Sequence, residues 1–160
     1  MNSPEESLVA LLQEKSLVLA AAESCTAGLV ADRIVRVPGA SKVFWGSFVC
    51  YTAQAKMTML GISGGILDTY GLVSAETAAA MAGGALEKSG ADLALSVTGL
   101  AGPEGDGSDV PVGTVWIGTA RKNGPETAGI FHFTGSRNEL RSKAALEAVN
   151  QILKQLQEFF

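Results

Sequence analysis

Leu17-Val18-Leu19-Ala20-Ala21-Ala22-Glu23-Ser24-Cys25-Thr26-Ala27-Gly28 is the stretch that decides the fold. Six apolar residues in succession, without the alternation of a half-exposed strand, suit a strand covered by helices on both faces. The run breaks into a turn of small polar residues, and residues 27–36 then read as a helix stopped by Pro38-Gly39. Strand, small-residue turn and helix form a unit of an α/β sheet, in which ligands sit outside the carboxyl ends of the strands.

Upstream, Ser3-Pro4-Glu5-Glu6 reads as a capping box with proline at the first helical position, so a helix should run to about Lys15. Downstream, residues 43–51 are β-branched and aromatic enough for a strand, and 54–60 suit a short helix closed by Gly61. Ser74 should cap a long alanine-rich helix to about Ser89, ended by Gly90. Leu93-Ala94-Leu95-Ser96-Val97 is a second buried strand, and the glycine-rich loop from Thr98 to Gly107 behind it would let backbone approach a ligand closely. Residues 114–120 and 127–133 read as strands joined at Lys122-Asn123-Gly124-Pro125, so part of the sheet is expected to be antiparallel. After Gly135-Ser136-Arg137, the positions Leu140, Ala144, Ala148, Ile152 and Leu156 keep helical spacing. No repeat or linker interrupts the pattern, and residues 1–160 are read as one α/β domain.

A hydrophobic share of 47% against 18% charged residues is enough to build a sizeable core. The 12 basic and 16 acidic side chains leave a net charge of -4 with no Lys/Arg cluster, so nucleic acid is not an expected partner. No stretch approaches the roughly 20 apolar residues of a membrane span, and the acidic start Met1-Asn2-Ser3-Pro4-Glu5-Glu6 does not resemble a signal peptide. A cytoplasmic protein without membrane association is therefore expected. Cys25 and Cys50 make no disulfide framework, and with His132 alone they make no zinc site. Neither glycine-bearing turn carries a P-loop or a G-x-G-x-x-G leading into a helix, which disfavours a nucleoside triphosphatase or a dinucleotide enzyme.

Without metal ligands, hydrolysis of an unreactive bond such as an amide needs a side-chain nucleophile, a base and donors for the oxyanion. Ser24, Cys25, Thr26, Ser41, Ser47 and Cys50 carry a hydroxyl or thiol in the relevant region. His132 has no obvious carboxylate partner, which argues against a Ser-His-Asp triad. Lys56 can serve as base if burial among Ala53, Ala55, Met57 and Met59 lowers its pKa; otherwise it is a solvated helix lysine. The plainer reading of Ser24 is a helix N-cap, of Ser41 a loop serine, of Thr98 a strand-end hydroxyl, and of Arg137 a solvated first-turn residue rather than a phosphate clamp.

Taken together, Ala22-Glu23-Ser24-Cys25-Thr26-Ala27-Gly28, the segment from Tyr51 to Lys56, Gly71-Leu72-Val73-Ser74, Thr98-Gly99-Leu100-Ala101-Gly102-Pro103 and Pro111-Val112-Gly113-Thr114-Val115 resemble the CinA C-terminal domain family. The resemblance covers about residues 15–155, and the chain looks like the family's stand-alone form, the nicotinamide-nucleotide amidases. It implies a three-layer α/β/α sandwich with a mixed, mostly parallel sheet, association into homo-oligomers, and no metal or cofactor. The implied reaction, a step of pyridine nucleotide recycling, takes nicotinamide mononucleotide to nicotinate mononucleotide and ammonia. Carried over by position, the family's Ser/Lys pair falls on Ser41 and Lys56, with Tyr51 holding the lysine or the serine in register. Ser24 and Thr98 would orient substrate or stabilise the oxyanion, Ser24 remaining an alternative nucleophile. Thr26, Gly99 and Gly102 would line the substrate site, and Arg137 would bind the 5′-phosphate. Ala27 stands where the family usually has a glycine, and Ala53 where it often has an asparagine. A non-catalytic nucleotide-binding module on the same fold is the alternative, against which retention of Lys56 speaks.

Overall fold

The structure, a computed structural model, describes residues 1–160. Helix α1 (Pro4–Lys15) starts at the expected box: the Ser3 hydroxyl accepts from the Glu6 amide, and the Glu6 carboxylate accepts from Ser3 N. Strand β1 (Leu19–Glu23) is buried along its whole length, and α2 (Leu29–Val35) follows. A 3-10 turn at Ala40–Lys42 leads into β2 (Phe44–Val49), then α3 (Ala53–Leu60), α4 (Gly64–Tyr70) and α5 (Ala75–Ser89). The chain closes with β3 (Leu93–Gly99), β4 (Thr114–Arg121), β5 (Thr127–His132) and α6 (Arg137–Phe159).

The sheet order is β2-β1-β3-β4-β5. β1 lies parallel to β2 and β3, whereas β3–β4 and β4–β5 are antiparallel, so β4 alone runs against the other strands. The sheet is mixed and mostly parallel in direction. Helices α1, α2 and α6 cover one face over a core that includes Leu8, Leu12, Leu95, Val97, Ala148 and Ile152. Helices α3, α4 and α5 cover the other, over Ala22, Leu60, Met81, Ala85 and Ala94. The result is a three-layer α/β/α sandwich. The alanine-rich sequence of α5 lets it lie directly on the sheet: a Cβ added at Gly118 would fall 2.3 Å from the Ala78 carbonyl oxygen, and Ser96 Oγ donates to that oxygen at 2.6 Å.

Two elements differ from the sequence reading. α4 was not expected, because its two leading glycines disfavour a helix; Ser63 nevertheless caps it, accepting from Gly65 N. α2 starts at Leu29 rather than near residue 27, because Ala27 and Gly28 adopt left-handed φ values of 44° and 101°. For alanine that conformation costs about 1 kcal/mol, partly offset by its lower entropy when unfolded. Ala27→Gly should therefore raise stability by up to about 1 kcal/mol, read as a later denaturant midpoint at unchanged slope.

The parallel strands bring their carboxyl ends to one edge of the sheet. Ser24, Tyr51 and Thr98 gather there, and the first turn of α6 arrives at the same edge. No helix is long and apolar enough to cross a membrane.

Candidate active site

The turn after β1 is built on Glu23, whose side chain is fully buried. Its Oε1 accepts from Thr26 Oγ1 (2.8 Å), Gly28 N (3.2 Å) and Val30 N (2.8 Å), and its Oε2 from Ala31 N (3.3 Å) and Ser47 Oγ (2.7 Å). One carboxylate thus satisfies the free amides at the start of α2 and ties the turn to β2. The capping role that the sequence offered to Ser24 belongs to Glu23, and the Ser24 hydroxyl is left for other work.

That hydroxyl meets Lys56. The lysine side chain is fully buried and makes no salt bridge; its Nζ donates to Ser24 Oγ at 2.9 Å, Cys50 O at 3.0 Å and Tyr51 O at 3.2 Å. Burial is the main cause that holds its pKa below the ordinary lysine value of 10.5, only partly opposed by the neighbouring Cys50 and Cys25. The neutral amine has two hydrogens and one lone pair. With the two carbonyls taking the hydrogens, the lone pair faces the Ser24 hydroxyl, as a general base requires. The thiols beside this pair are poor rivals: burial pushes Cys25 up to about 11 and raises Cys50 as well, so neither supplies a thiolate near neutral pH.

Ser41 is not brought to Lys56, contrary to the pairing expected from sequence. β2 pairs with β1 from Leu19↔Phe44 to Glu23↔Val49, so the turn carrying Ser41 precedes β2 at the amino end of the sheet while Lys56 follows its carboxyl end. About 17 Å of strand separates the two ends. Ser41 is exposed and borders an apolar hollow of about 450 Å³ with Val35, Pro38 and Trp45.

Other expected residues also take different parts. Thr26 is wholly buried, and its hydroxyl donates to Glu23 Oε1. Thr98 Oγ1 donates to Leu72 O at 2.7 Å and fastens the loop before α5. Tyr51 meets Lys56 and Ser24 through its carbonyl oxygen, which accepts from Lys56 Nζ and, at 3.4 Å, from Ser24 Oγ. Its exposed phenol accepts from Arg137 Nη2 at 3.0 Å while Arg137 Nη1 donates to Gly102 O at 2.7 Å, so one guanidinium bridges two loops at the rim. Gly99 packs where a Cβ would lie 2.8 Å from Val115 Cγ2 and 3.2 Å from Cys25 Sγ. No group of three His, Cys, Asp or Glu side chains is placed to hold a metal ion.

The family model for the CinA C-terminal domain matches residues 1–156. The chain belongs to that family. CinA relatives include a CinA-like protein of Geobacter metallireducens, 47% identical over 146 residues, and a putative competence-damage inducible protein of Caldicellulosiruptor bescii, 47% identical over 150 residues. These alignments cover 91% and 92% of this chain but 35% and 36% of the relatives, so the chain spans about a third of their length. Among solved structures, the competence/damage-inducible protein CihA of Agrobacterium tumefaciens is 36% identical with a TM-score of 0.89, covering 98% of both chains. A CinA superfamily protein of Escherichia coli is 35% identical with a TM-score of 0.89, covering 96% of this chain and 90% of its own.

Two contributors to this CinA site were missed from the sequence. In the sequence Glu23 stands out only within a motif, although a carboxylate closing a wholly apolar strand just before a helix is a signal for such an anchor. Arg141 lies one helical turn beyond Arg137; its Nε donates to Cys25 O at 2.7 Å and its Nη2 to Thr26 O at 3.3 Å.

Proposed function

We propose that this chain hydrolyses the carboxamide of nicotinamide mononucleotide to nicotinate mononucleotide and ammonia, with Ser24 as nucleophile and Lys56 as base. The observation that carries the reading is the fully buried Lys56 amine 2.9 Å from the Ser24 hydroxyl, without a carboxylate to keep it charged. A nucleotide-binding module without catalysis has no use for that arrangement.

In the proposed sequence Ser24 Oγ bonds to the carboxamide carbon while its proton passes to Lys56 Nζ and the carbonyl π pair moves to oxygen. When the carbonyl re-forms, the C–N bond breaks and Lys56 returns the proton to the departing nitrogen, which leaves as ammonia. A water then attacks the Ser24 ester, giving a proton to Lys56 as its oxygen bonds to the acyl carbon. Expulsion of Ser24 Oγ, reprotonated by Lys56, frees the acid. Arg137, on the exposed rim beside Tyr51 and Gly102, is the group proposed to meet the 5′-phosphate.

The test is ammonia release from nicotinamide mononucleotide in chelator-containing buffer. Saturable release, with nicotinate mononucleotide formed one for one, is expected. Saturable binding without release would overturn the amidase and favour the binding module.

A further inference from the structure

We infer that the backbone N–H groups of Cys25 and Thr26 form the site that holds the oxyanion on the Ser24 adduct. The inference rests on Ser24 being the nucleophile. In the turn, Ser24 N donates to Val97 O, Ala27 N to Ser24 O, Leu29 N to Thr26 O, and the amides of Gly28, Val30 and Ala31 to Glu23. Cys25 N and Thr26 N alone, the two amides directly after the nucleophile, donate to no group in the protein. Two adjacent amides without acceptors in a turn this fully bonded form a place for an anion.

Their direction follows from peptide planarity, which sets each N–H opposite the carbonyl of the same peptide. The Cys25 carbonyl is fixed toward α6 by Arg141 Nε at 2.7 Å, so Thr26 N–H points away from α6. The Ser24 carbonyl is turned into the turn by Ala27 N at 3.2 Å, which sends Cys25 N–H outward from it. α6 lies on the opposite face of the sheet from α3, the helix that carries Lys56. Glu23 keeps these dipoles in place before any substrate arrives, and preorganised donors are what stabilise a developing negative oxygen. The donor immediately following a nucleophilic serine is a recurrent solution to that problem on other folds. Glu23 and Arg141 are positioning residues: they touch the turn, not the reacting atoms.

The test replaces the Cys25–Thr26 amide by an ester, removing the Thr26 N–H and keeping every side chain. The full chain is assembled from a synthetic segment 1–49 and a recombinant segment joined at the native Cys50. The all-amide chain made the same way is the control, and Arg141→Met in the all-amide chain reports the effect of losing the Arg141 contacts to the Cys25 and Thr26 carbonyls with both N–H groups kept. Two readouts are taken: ammonia release from nicotinamide mononucleotide, and affinity for pyridine-3-boronic acid, which forms a tetrahedral adduct on a serine hydroxyl. The ester should lower kcat by about 100-fold or more with little change in KM, and weaken the boronate adduct well beyond the effect of Arg141→Met. Unchanged kcat and adduct affinity in the ester chain, or no boronate adduct on the all-amide chain, would overturn the inference. A weakened adduct on a chain that releases no ammonia would uphold the oxyanion site and sink the carboxamide substrate instead.

Discussion

Ser24→Ala should lower kcat/KM for ammonia release on the order of 10⁴-fold or more, while Ser41→Ala leaves it within about twofold. The first variant removes the atom proposed to bond to the carboxamide carbon and with it one of the three partners of Lys56 Nζ, which keeps Cys50 O and Tyr51 O. Ser24 Oγ makes one weak bond of its own, to Tyr51 O at 3.4 Å, and the turn around it is held by Glu23. The folded structure should survive, visible as an unchanged melting temperature within a few degrees. The second variant alters an exposed hydroxyl at the far end of β2. Full activity in Ser24→Ala with loss in Ser41→Ala would reverse the assignment, and would require a second copy of the chain to carry Ser41 to Lys56.

Lys56→Arg and Lys56→Met should each lower the rate by about 10³-fold, for different reasons. Arginine stays protonated at any accessible pH and cannot take the serine proton, whereas methionine fills the space without a base. The pH profile gives the sharper check. Because burial lowers the Lys56 pKa in the fold, the neutral amine appears below the ordinary lysine value of 10.5. Activity should therefore rise with pH through a midpoint below that value, and the residual activity of Lys56→Met should lose this limb. Stability follows the same linkage: between the depressed folded pKa and 10.5 the unfolded chain binds more protons than the folded one, so stability rises with pH across that window. Below the folded pKa the buried ammonium carries its full cost. Lys56→Met should flatten this part of the stability curve.

The layered fold was legible because its signals are local. The uninterrupted apolar run of β1, the caps at Ser3 and Ser74, and the glycines after α3 and α5 each mark an element by short-range chemistry. α4 escaped because its glycines speak against a helix while Ser63 and its packing against α5 hold it in place. The burial of Lys56 was legible from its apolar neighbours as one of two readings. Its partner was not: the pairing with Ser41 came from the resemblance alone, although a strand over 43–51 already sets Ser41 before it and Lys56 after it, and only the parallel pairing of β1 with β2, Glu23 beside Val49, brings Ser24 to the lysine. The hydroxyls of Thr26 and Thr98, which the motif assigned to substrate or oxyanion, donate to Glu23 and Leu72 O, acceptors that only the folded chain places beside them.

The same Glu23 network bears on the order in which the site comes together. Four of its five contacts span only three to eight residues, so the serine turn and the start of α2 can take shape within a short length of chain. The contact between Lys56 and Ser24 spans 32 residues and waits for β2 and α3 to dock. An incompletely folded molecule therefore has a shaped Ser24 turn without Lys56 beside it, and the proposed activity should emerge only in the last stage of refolding.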